Sequence, residues 1–167
     1  MHAAYRTLVG LLANISAGLV AVIFLVVLAE VIGRNLFGYS LPATFEISVF
    51  LLVYTAFFAA AAAFGRNMHF KVFDLAGRLS GGSARAVQVI GDVATICFLG
   101  VLGYYGVMLA LSQMDQPSAA LRIPYGIIYL SMPIFAFTSI GLLVMKLFMP
   151  MGAVERMFDD DAETAGV

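Results

Sequence analysis

The stretch LVGLLANISAGLVAVIFLVVLA, residues 8–29, decides what kind of protein this is. It runs for 22 residues without a charged side chain. An α-helix rises 1.5 Å per residue, so about twenty apolar residues cross roughly 30 Å of hydrocarbon. The apolar core of a secretory signal is shorter, about 7–15 residues, and no small-x-small cleavage pattern flanked by polar residues follows this one. Glu30 and Arg34 come next, spaced for an i,i+4 ion pair at the membrane surface. The stretch is therefore read as a retained transmembrane helix.

Three more runs of this length follow. They are FEISVFLLVYTAFFAAAAAF at 45–64, VATICFLGVLGYYGVMLALS at 93–112 and YGIIYLSMPIFAFTSIGLLVM at 125–145. The fold class is all-α: a polytopic membrane protein with four transmembrane helices in one domain over residues 1–150. Apolar residues make up 62% of the chain and charged ones 11%, where a soluble domain carries about 25% charged. Only short loops and two tails remain, which leaves no room for a soluble catalytic domain. The net charge of -1 comes from charges dispersed among the loops, with no basic stripe for nucleic acid. The single cysteine, Cys97, has no partner for an intrachain disulfide and is expected to be a buried small hydrophobe. The acidic tail, 151–167, is expected to be solvated and disordered.

Loop charge sets the orientation. Four spans place both tails and the middle loop on one side, which collects seven cations: Arg6, Arg66, Lys71, Arg78, Arg85, Lys146 and Arg156. The other side holds Arg34 and Arg122. Cations near span ends stay in the cytoplasm, so both termini are expected there. The first loop, GRNLFGYSLP at 33–42, carries turn residues, and Pro42 suits the opening of the second helix. In the middle loop, HFKVFDLAGRL at 69–79, Lys71, Asp74 and Arg78 fall on one helical face with apolar residues between them. This pattern predicts a short cytoplasmic interfacial helix between the second and third spans, followed by SGGS at 80–83 as a stop. The third loop, 113–124, is semi-apolar and holds Pro117 and Pro124, which suits docking against protein. Pro133, inside the fourth run, is expected to kink that helix.

Ala59 through Ala63 and the triad Gly100, Gly103 and Gly106 let helices approach closely, within the chain or toward a partner. Ionisable residues are missing from mid-span, where only function justifies their cost. Glu30, Glu46, Asp92, Asp115 and Lys146 all lie near span ends, and the two histidines, His2 and His69, lie outside the spans. Intramembrane haem ligation, paired-cysteine redox work and a midplane ion site each lack their residues. An accessory membrane subunit fits better than the two alternatives, a self-assembling small carrier or channel and a membrane anchor of a respiratory complex.

A family resemblance rests on particular residues. Arg34 closes the first span, Glu46 opens the second, and that span turns alanine-rich. FGRNMHFKVFDLAGRL at 64–79 supplies Arg66, His69 and Asp74, and SAALRIPYGIIYLSMPI at 118–134 supplies Leu121, Pro124, Tyr129 and Pro133. In this order the chain resembles the small membrane subunit of a tripartite ATP-independent periplasmic (TRAP) transporter, from about Leu8 to Lys146. Where members often have a tryptophan and a doubled acid, this sequence has Phe45 and Glu46. The resemblance implies a scaffold in the lipid bilayer for a large membrane subunit, and a docking aid for a periplasmic substrate-binding protein that delivers organic acids. Sodium coupling is expected in the large subunit, with no cofactor or metal here. The nine residues Arg34, Glu46, Arg66, His69, Asp74, Leu121, Pro124, Tyr129 and Pro133 are then partner-interface or structural candidates. Glu46, near the positive end of its own helix, is expected either to pair with Arg34 or a cation on the large subunit, or to stand as a solvated helix-start acid.

Overall fold

A computed structural model of the chain describes residues 2–38, 42–66 and 82–147. The expected interfacial helix, with His69 and Asp74, and the acidic tail lie outside the described residues. Helix α1 is His2–Phe37, α2 Pro42–Gly65 and α3 Gly82–Ser112. A short α4, Tyr125–Tyr129, precedes α5, Ser131–Leu147. Four segments are long and apolar enough to cross a membrane: Ala3–Phe37, Ala43–Gly65, Val89–Ser112 and Tyr125–Lys146.

The helices outrun their apolar cores. Helix α1 holds 36 residues, about 54 Å at the standard rise, far more than hydrocarbon thickness alone requires. Nothing between Leu8 and the chain start breaks helical geometry, so the helix extends well beyond the run that marks it. It stops at Gly38, whose φ of 66° lets its N–H reach back to the Arg34 carbonyl at 3.1 Å. Pro42 does open α2. The fourth run departs from a simple kink. It divides at Leu130, three residues before Pro133. A proline ring crowds the carbonyl four residues earlier, here Tyr129, and offers it no N–H. The break falls there, and Pro133 sits in the first turn of α5, where a missing donor costs least.

The spans pack into one unit as an open row. Helix α1 lies against α2, α2 against α5, and α5 against α3, so α1 and α3 form the two edges. The α3 positions that face inward are Asp92, Leu99, Gly103, Gly106 and Ala110, at the three-and-four spacing of a left-handed seam. A Cβ on Gly103 would lie 3.3 Å from that of Ala136, and one on Gly106 would lie 3.1 Å from Pro133 Cδ. Two of the three triad glycines thus bring α3 and α5 together. The third, Gly100, faces outward with nothing near it. Cys97 is also exposed on α3, against the expectation of burial, because the row leaves that side of an edge helix uncovered.

A compact core forms near the terminal end of the row, where α1 starts and α5 ends. Tyr5, Val9 and Leu12 of α1 meet Ala61 and Ala62 of α2 and Leu142 of α5. The alanines leave room for the tyrosine ring, and its hydroxyl donates to the Gly65 carbonyl at 2.6 Å. Beside this core, the Lys146 ammonium lies 3.2 Å from the Asp92 carboxylate, with both side chains nearly buried. That ion pair ties α5 to α3.

Candidate functional site

At the opposite, distal end, residues 113–124 fold into a closed loop. Pro117 and Pro124 form an antiparallel bridge, and the Ser118 N–H donates to the Ile123 carbonyl at 2.9 Å. The Arg122 N–H returns to the Ser118 carbonyl, and the Ile123 N–H reaches Ser118 Oγ at 3.3 Å. Two rigid prolines at the neck and buried Ser118 inside let so short a loop meet its own backbone bonds. Arg122 turns the tip with φ 56°, left-handed backbone that a side chain adopts at a cost, and it is exposed there.

Glu46 holds this loop from across the row. Its Oε1 accepts the Ala120 N–H and its Oε2 the Leu121 N–H, both at 2.9 Å. Glu46 is the fifth residue of α2, past the first-turn amides that a capping acid serves. It therefore caps the loop rather than its own helix, and its two oxygens go to backbone amides rather than to Arg34. Further contacts join the same elements. Tyr54 Oη donates to the Ile127 carbonyl at 2.6 Å, and the Phe50 and Tyr125 rings lie 6.2 Å apart. The Gly126 N–H donates to the Gln113 carbonyl at 3.0 Å, fastening α4 to the end of α3. Thr44 Oγ1 donates to Glu30 Oε2 at 3.1 Å, which brings the end of α1 to the start of α2.

Of the sequence-predicted residues, the structure gathers Glu46, Leu121 and Pro124 in this clamp. Tyr129 ends α4 at its side, and buried Pro133 packs beneath it on Gly106. Arg34 stands exposed on α1 at the distal end, and Arg66 lies at the far end of α2. The buried Asp92–Lys146 pair was not among the candidates. Its signal was present, since opposite charges flank the third and fourth runs at the same membrane level, Asp92 just before one and Lys146 just after the other. A carboxylate receiving two backbone amides fixes the shape of the loop, with Arg122 exposed at its tip.

The Glu46 contact has a direct test. Arg122 precedes Ile123, so trypsin can cut there once the loop opens, and local opening sets the rate. Glu46→Ala is expected to speed cleavage after Arg122 by about tenfold in detergent-solubilised protein. Glu46→Gln, which keeps one acceptor oxygen, should fall between that variant and the parent. Equal rates for all three would show that the carboxylate does not hold the loop.

The family model described as tripartite ATP-independent periplasmic transporters, DctQ component, matches residues 23–151. The match takes in the clamp and everything from mid-α1 to the end of α5. No curated protein matches the chain.

Proposed function

The chain belongs to the DctQ component family of tripartite ATP-independent periplasmic transporters, and on that premise we propose that it scaffolds a sodium-coupled large transport subunit for organic acids. It is the small permease subunit of such a transporter. C4-dicarboxylates or sugar acids are the substrate class, carried by the large subunit. A periplasmic binding protein delivers them and docks in part on the distal loop. The observation that carries this reading is the clamp: a loop held by Glu46 that presents exposed Arg122 at its tip. The charged side chains of the described spans support it as well. Arg6, Asp92 and Lys146 stand toward the terminal end, and Glu30, Arg34 and Glu46 toward the distal one. A scaffold needs no charge at mid-depth, whereas a carrier does.

The cation distribution supports cytoplasmic termini and a periplasmic distal loop in the inner membrane. Trypsin added to spheroplasts of the Glu46→Ala variant should then cut after Arg122, and cutting only after lysis would reverse the orientation. Function is tested in proteoliposomes with the large subunit, the binding protein and an inward sodium gradient. Uptake is expected only when this chain is included. Sodium-driven uptake by this chain alone, or equal uptake without it, would overturn the reading.

A further inference from the structure

The two edges of the row differ in chemistry. The α1 edge exposes Val20, Phe24, Leu25 and Leu28, which ask nothing of their surroundings but hydrocarbon. The nearest small hydroxyl, on Ser16, is satisfied by the Ala13 carbonyl at 2.8 Å. The α3 edge carries Tyr104 and Tyr105, 61% and 63% exposed, with ring centroids 5.4 Å apart in an edge-to-face pair. Neither hydroxyl has a hydrogen-bond partner among the described residues, whereas those of Tyr5 and Tyr54 each donate to a carbonyl.

Depth makes these hydroxyls informative. Tyr104 lies eight residues from Ser112, the distal end of the span, or about 12 Å along the axis. Helical side chains lean toward their own N-terminus, which for α3 is the terminal end. Both rings therefore lean toward the middle of the membrane and away from the distal interface, where tyrosines usually place their hydroxyls. Lipid tails offer no acceptor at that level. One turn from Tyr104 lies Gly100, exposed, where an added Cβ would meet nothing within 4 Å. A second helix backbone has room to come close beside two free donors.

We propose that this face of α3, at Gly100, Tyr104 and Tyr105, seats a transmembrane helix of the large transport subunit, which supplies hydrogen-bond acceptors at mid-depth. The proposal rests on the reading of the chain as the small permease subunit and adds which edge of the row meets its partner. The α1 edge is left to lipid.

The test uses the assembled transporter in native membranes. A photoreactive p-benzoylphenylalanine in place of Tyr104 is compared with the same residue in place of Phe24, and unmodified chain is tested for co-purification with the large subunit. Position 104 should give an adduct with the large subunit, and position 24 should give none. A lipid adduct or a dimer of this chain from position 104 would overturn the proposal, as would a large-subunit adduct from position 24. Co-purification of unmodified chain without an adduct at 104 overturns the placement alone. Absence of co-purification overturns the functional reading and this partner with it. The double variant Tyr104→Phe, Tyr105→Phe keeps both rings and disturbs no bond within the chain. Two interhelical hydrogen bonds of ordinary membrane strength correspond to about an eightfold loss of association. Retention equal to the parent's in the double variant would show that the hydroxyls make no such bonds.

Discussion

Lys146→Met is expected to destabilise the described four-helix unit by about 3–5 kcal/mol, because it leaves the Asp92 carboxylate without its cation in a buried site. Asp92 is 3% exposed, and the Lys146 ammonium approaches it to 3.2 Å. The pair joins the central helix α5 to the edge helix α3, so its loss also loosens the seam where Gly103 and Gly106 meet Pro133 and Ala136. Charge removal from one side is costly; removal from both sides is far less so. Adding Asp92→Leu to Lys146→Met should recover most of the lost stability, since apolar replacement of a whole buried pair is often neutral. Thermal unfolding of the detergent-solubilised protein measures both variants, and their non-additivity gives the coupling directly. An unchanged melting temperature for the single variant would mean that water at the membrane surface solvates the carboxylate.

Gly126→Ala carries the second large effect. A Cβ there would run into the Ala110 carbonyl oxygen, a backbone atom that cannot swing aside, and would lie 2.8 Å from Met114 Sδ. Helix α4 must then move off the end of α3, and the Gly126 N–H to Gln113 bond goes with it. Overpacking of this kind costs about 1–3 kcal/mol. The consequence reaches the distal loop, because α4 follows directly on Pro124. Gly126→Ala should lower the melting temperature and also hasten tryptic cleavage after Arg122. Gly100→Ala, on the open side of α3, serves as the contrast and should leave both unchanged within the isolated chain.

How much of this was legible differs between the spans and the contacts among them. The apolar runs located all four membrane-spanning segments, because the need to bury backbone polar groups in hydrocarbon acts on each helix separately. Pro42 and Pro133 were likewise readable, the first as an opening and the second as a disturbance. The disturbance took the form of a break at Leu130, since the carbonyl one turn before a proline is the atom that suffers. Glu46 was legible as a residue of interest and illegible in its role. A carboxylate near a helix start suggests the helix amides or a nearby cation. Its two backbone donors, Ala120 and Leu121, lie more than seventy residues away, and no local spacing brings them to mind. Cys97 and Gly100 went the same way, because exposure on α3 depends on which helices flank it.

Sequence alone determined the membrane class, the number of spans, the side bias of the cations and a family resemblance that the match over residues 23–151 supports. These follow from composition and order along the chain, where each helix answers to the bilayer by itself. The tertiary structure alone decided that the spans form an open row with α5 inside and α3 at an edge. It alone paired Asp92 with Lys146 and closed Glu46 over the loop at 118–123. Such choices depend on contacts between residues far apart in the chain, among helices that are all nearly equally apolar. Hydrophobicity cannot rank one neighbour over another there; small residues, single charges and hydroxyls do.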